Sequence, residues 1–192
     1  MMRIWLAGLL GGVAMFVWGA LSHMVLPIGS MGLQSPPVEK EPALLNSLRE
    51  ALPESGVYFL PGMEGFPKPS AEQEAAYHAK ALVGPRGLLV YQRDGADTQA
   101  LMPRQLVQQF VTCLGCGLLA AFLLASAGGL NGYLPRVYFC TILGLTAFLA
   151  SDAPNWIWYG YSSVHTFGKL LENVIGFTCT GAVIGLVLPR RG

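Results

Sequence analysis

The sequence predicts a mainly α-helical integral membrane fold, with four transmembrane helices and a small extracytoplasmic α/β insert between the first two. Three observations predict it. Apolar residues make up 53% of the 192 positions and charged ones only 12%, more apolar side chain than one small soluble core needs. Four long stretches are almost free of charge, and most of the charge and of the proline falls between the first and second of them. Twelve Lys and Arg against eleven Asp and Glu give a net charge of +1, which supplies no basic surface, so nucleic acid is excluded as a partner. Four cysteines are too few for a disulfide-stapled scaffold.

The first helix is expected over 4–26, where no Asp, Glu, Lys or Arg occurs and the length matches a hydrocarbon core about 30 Å thick. A cleaved signal peptide is the rival reading, since Arg3 precedes the apolar run. The run is longer than a usual signal core, which favours a retained anchor. The second helix is expected over 106–127, opening behind Pro103 and closing at Gly128-Gly129. The third, over 134–150, is short enough that it spans only when upright or extended by flanking aromatics. The fourth, over 170–188, has Lys169 at its start, Glu172 one turn in and Pro189-Arg190-Arg191 beyond its end.

Basic flanking residues set the orientation. With the N-terminus inside, the inner flanks hold Arg3, Arg136, Arg190 and Arg191, while the outer loop 151–169 holds only Asp152 and Lys169. Both termini are therefore expected on the cytoplasmic side and the insert outside.

Within the insert, 34–105, Leu44, Leu45, Leu48 and Leu52 form one apolar stripe of a helix over 42–52. Gly56–Leu60 reads as a short strand. Ser70 followed by Gln73 is a capping-box pattern for a helix over 71–82, closed by Gly84-Pro85. Gly87–Tyr91 reads as a second strand. So small a unit buries little apolar area, and its stability is expected to depend on the membrane part. His78 is expected to be a solvated helix residue, and no phosphate loop, metal-ligand spacing or nucleophile elbow occurs.

Cys113 and Cys116 form a CxxC without a second pair or a following His. They read as small packing residues in a membrane helix, with a redox pair as the alternative. The patterns Gly8-x3-Gly12, Cys113-x3-Gly117-x3-Ala121 and Gly181-x3-Gly185 predict close helix packing, either within one chain or in a homo-oligomer.

No catalytic residue and no metal site is assigned. The candidate binding patch is His23, Asp152, Asn155, Trp156, Trp158, Tyr159, His165 and Glu172. Its aromatics suit an interfacial belt. Its ionisable groups, expected at the same membrane level, suit a functional site. Two imidazoles there would be able to ligate haem b or to hydrogen-bond a quinone, although no spacing selects a cofactor and none is predicted.

The segments 16–23 (Phe-Val-Trp-Gly-Ala-Leu-Ser-His) and 155–160 (Asn-Trp-Ile-Trp-Tyr-Gly), with a glycine-bearing last helix, resemble small four-helix bacterial inner-membrane proteins of unknown function. The resemblance covers the membrane half and implies a bacterial cytoplasmic membrane location; it carries over no activity. The expected function is thus a non-enzymatic membrane protein that binds a partner beside the lipid bilayer. The alternatives are an oligomeric transporter or channel subunit and a redox protein using His23 and His165.

Overall fold

A computed structural model describes residues 1–128 and 130–189; Gly129, half of the expected Gly128-Gly129 stop, and the flanking Arg190 and Arg191 lie outside the described residues. The chain is mainly helical, in the order α1 (Met2–Met24), α2 (Glu41–Ala51), β1 (Gly56–Leu60), α3 (Ala71–Val83), β2 (Gly87–Tyr91), α4 (Thr98–Ser126), α5 (Tyr133–Tyr159) and α6 (Ser163–Val187). It divides into two units: one of Met1–Leu33, Asp97–Trp156 and the described residues from Tyr161 onward, the other of Gln34–Ala96 with Ile157–Gly160.

The first unit holds α1, α4, α6 and most of α5, the four helices long and apolar enough to cross a membrane. Three of their limits differ from the sequence expectation. α4 begins at Thr98 rather than at 106, because the Asp97 carboxylate accepts hydrogen bonds from the N–H groups of Gln99 (3.0 Å) and Ala100 (3.1 Å) and caps the helix early. Residues 98–105 thus belong to a helix rather than to the insert, and Pro103 lies inside it. α5 does not stop near 150 but runs through Pro154 to Tyr159, so most of the expected outer loop is helix. It ends before Gly160, whose φ of +76° is a left-handed conformation that only glycine adopts freely. α6 starts at Ser163, where the Ser162 hydroxyl accepts from the His165 N–H at 3.1 Å. Lys169 and Glu172 therefore lie in the second and third turns, not at the helix start.

α1 sits between α4 and α6, and glycine sets both contacts. A Cβ on Gly12 would come within 2.6 Å of Leu114 Cα, one on Gly8 within 2.8 Å of Leu118 Cα, and one on Gly117 would overlap the Gly12 nitrogen and the Gly8 carbonyl oxygen. Backbones this close exclude any larger side chain. Edge-on ring pairs Trp5–Phe122 and Phe16–Phe110, at 5.1 and 5.2 Å, extend that seam. On the opposite side Gly11 faces Thr180 and Ile184, and the Thr180 hydroxyl donates to the Gly11 carbonyl at 3.2 Å. α5 packs on α6 in turn, with Gly144 against the Asn173 backbone, Gly181 against Cys140, and Thr141 bonded to Thr178 at 2.8 Å. The glycine seams that sequence alone leaves open between one chain and two are occupied within the chain.

At the far end of α6 the buried Arg136 donates to the carbonyls of Leu188 (2.6 Å), Pro189 (2.7 Å) and Leu130 (3.1 Å). A helix leaves its last carbonyls without partners, and this guanidinium gives a donor to that of the C-cap Leu188 and to those of Pro189 and Leu130 beyond the helix.

In the second unit β1 and β2 pair antiparallel, from Gly56 opposite Tyr91 to Leu60 opposite Gly87. The Ser70–Gln73 capping box is formed in both directions, at 3.3 and 2.8 Å. Arg93 Nη1 reaches the carbonyls of Arg49, Leu52 and Pro53 at 2.9 to 3.3 Å and closes the end of α2. None of residues 34–96 is buried, as the small apolar content of the insert leads one to expect. His78 is exposed beside Tyr77.

Candidate binding cavity

A cavity of about 670 Å³ opens in the first unit, where α1 finishes and α4 and α6 begin. On α1 its wall runs from Met15 to Met24, about 14 Å of helix. The wall is graded. Deep in it stand Met15 and Phe16 of α1, Cys113 of α4, and Gly176 and Phe177 of α6; toward the mouth stand His23, Met102, Gln105, Lys169 and Glu172, with Asp152 from α5.

Local sequence explains this arrangement. Ser22 and His23 are adjacent at the end of α1, and Lys169 and Glu172 are one turn apart on α6, so one carboxylate meets all three polar side chains. Glu172 Oε1 accepts from the Ser22 hydroxyl at 2.8 Å and lies 3.1 Å from His23 Nδ1; Oε2 accepts from Lys169 Nζ at 2.7 Å. The Trp18 indole N–H donates to the Glu172 carbonyl at 3.2 Å and fastens the two helices. His23 Nδ1 is also 3.0 Å from the Gly19 carbonyl. A carbonyl and a carboxylate only accept, so Nδ1 carries a hydrogen toward them, on a ring that is half exposed. Beside this cluster Asp152 Oδ2 accepts from Asn173 Nδ2 at 3.1 Å and from the Ser151 hydroxyl at 3.0 Å.

This is not a nucleophilic relay. Such a relay needs its hydroxyl and its carboxylate on opposite ring nitrogens. Here Ser22 and Glu172 both lie at Nδ1, and Ser22 is fully buried. Among the described residues no three His, Cys, Asp or Glu side chains come together in a way that would hold a metal ion.

Of the predicted patch, the structure brings His23, Glu172 and Asp152 to one cavity. It does not bring His165 there. That imidazole meets the Met31 carbonyl through Nδ1 at 3.1 Å, so the two histidines are engaged in separate places. Trp156 donates to the Ser163 hydroxyl at 3.2 Å, and Trp158 is 78% exposed. Tyr159 groups with the second unit, its ring 5.8 Å from Phe59. Asn155 takes the Tyr161 N–H on its backbone carbonyl, at 3.5 Å. Sequence reasoning missed Ser22, Lys169 and Asn173. The sequence carries a signal for the last two: residues 169, 172, 173 and 176 recur at helical spacing, and a helix that starts at Ser163 puts them on one face.

All four cysteines are free. Cys113 lies on the cavity wall with Gln109 Nε2 3.5 Å from its sulfur, and Cys140 is buried against α6.

These features define a mainly helical protein with four helices of membrane-crossing length and a polar-mouthed cavity at one end. No family model matches the chain, and no similar curated protein or solved structure is found.

Proposed function

We propose that the protein is a multi-pass protein of a bacterial cytoplasmic membrane that holds an amphipathic molecule in this cavity without transforming it. Both termini face the cytoplasm and the insert, from residue 34 to Ala96, lies outside, as the placement of Arg3 and Arg136 supports. The observation that carries the reading is the mixed wall: the ionisable side chains of His23, Lys169, Glu172 and Asp152 at the mouth, and Met15 and Phe16 about 10 to 14 Å back along α1, line one cavity. A ligand with a polar head and an apolar body matches both zones, and such mixed lining is the usual character of a small-molecule site. The absence of a hydroxyl–imidazole–carboxylate relay among the described residues favours binding over acyl transfer. Haem held by His23 and His165 draws no support from the geometry, since His165 is not on the cavity wall.

Gly19 provides the test, because it lines the cavity and a Cβ there meets nothing within 4 Å. Protein purified gently from its own membrane is expected to carry one amphiphile, detected by native mass spectrometry, and Gly19→Trp is expected to lose it while melting as wild type does. An empty wild-type protein, or a Gly19→Trp variant that retains the same ligand, would overturn the proposal.

A further inference from the structure

Resting on that reading, we infer that the head group the cavity takes is a protonated amine, so that the ligand class is an amphipathic primary ammonium. The inference comes from which polar groups at the mouth are already engaged. Lys169, the mouth's ammonium, is held by Glu172 at 2.7 Å, and the His23 ring hydrogen points to Glu172 and the Gly19 carbonyl. Both basic groups thus serve one carboxylate. Asp152 is different: its Oδ2 has only the neutral donors Asn173 and Ser151, and among the described residues no Lys, Arg or His lies within 4.0 Å of it. What the mouth still offers, among the described residues, is a carboxylate without a cation. An anionic head would meet no unengaged cation there. A neutral carbonyl or quinone head would leave the Asp152 charge without a counter-ion. An ammonium supplies three N–H donors and a positive charge, and a charge-assisted bond to Asp152 is about twice as strong as a neutral one. The apolar body then lies along Phe16 and Phe177.

Two sources share this chemistry, the ethanolamine head of a phospholipid and a free long-chain amine. The full-length protein in phosphatidylcholine nanodiscs, which contain no primary amine, is titrated with dodecylamine, dodecanol and dodecanoate, with empty nanodiscs as the blank; native mass spectrometry then follows added phosphatidylethanolamine. Dodecylamine is expected to bind about tenfold tighter than dodecanol. Asp152→Asn, which keeps an acceptor for Asn173, is expected to abolish that margin, and Asp152→Glu to retain most of it. Phosphatidylethanolamine adducts displaced by dodecylamine assign the lipid as the source, whereas dodecylamine binding without lipid adducts assigns the free amine. Equal binding of amine and alcohol, unchanged by Asp152→Asn but lost in Gly19→Trp, overturns the ammonium and leaves the amphiphile cavity standing. Binding of none of the probes overturns both.

Discussion

Replacing Gly12 with alanine tests the packing of α1 directly. The added Cβ would sit 2.6 Å from Leu114 Cα and 2.7 Å from the Cys113 carbonyl oxygen, against an optimal separation of about 3.5 to 4.0 Å. Both neighbours are backbone, so no side-chain rotation relieves the overlap, and α1 and α4 must part by about 1 Å. Overpacking of this kind costs about 1 to 3 kcal/mol. Alanine also favours the helix by about 1 kcal/mol over glycine, which masks part of that cost in a single variant. Gly19→Ala, on the same helix, and Gly115→Ala, on α4, receive the same helical gain and meet nothing within 4 Å. Subtracting them leaves the steric cost, about 2 kcal/mol. For a chain of this size that lowers the melting temperature by about 4 to 8 °C relative to either control. Thermal melting in one detergent decides the matter. A Gly12→Ala variant melting within about 1 °C of Gly19→Ala would refute the close approach of α1 and α4.

Arg136→Met should destabilise the first unit by about 3 kcal/mol, because the carbonyls of Leu188, Pro189 and Leu130 lose their donor in a buried setting. Arg136→Lys should fall between, since one ammonium cannot reproduce the planar fork, and equilibrium unfolding of the three proteins checks the order. In the insert, Ser70→Ala removes the acceptor for the Gln73 N–H and should weaken the start of α3 by about 1 kcal/mol. Faster amide exchange confined to the first turn of α3 is the expected reading.

The helices, both strands and the capping box were legible because each rests on a local signal. Charge-free length marks the four long helices, β-branched and aromatic runs mark Gly56–Leu60 and Gly87–Tyr91, and Ser70 with Gln73 marks the start of α3. Helix limits were misread where one local signal overrode another. Pro103 looks like a helix start, yet the Asp97 cap begins α4 before it, and α5 continues past 150 through Pro154. That error hid the site. Placing 151–169 in a loop made the aromatics look like the centre of the site, whereas His23, Glu172 and Asp152 line one cavity without them. Which of two histidines shares a cavity is a long-range fact, and no spacing encodes it.

The position of α1 fixes an order of assembly. It is made before both of its neighbours: α4 follows only after the whole insert, and α6 follows α5. Until then the groove cut by Gly8, Gly11 and Gly12 stands open on two sides. A nascent chain halted after α4 has one of those sides closed against Gly117, while the other waits for Thr180 and Ile184. The α1 packing is therefore complete only once α6 is made, and α6 is also the helix that brings Lys169 and Glu172 to the end of α1.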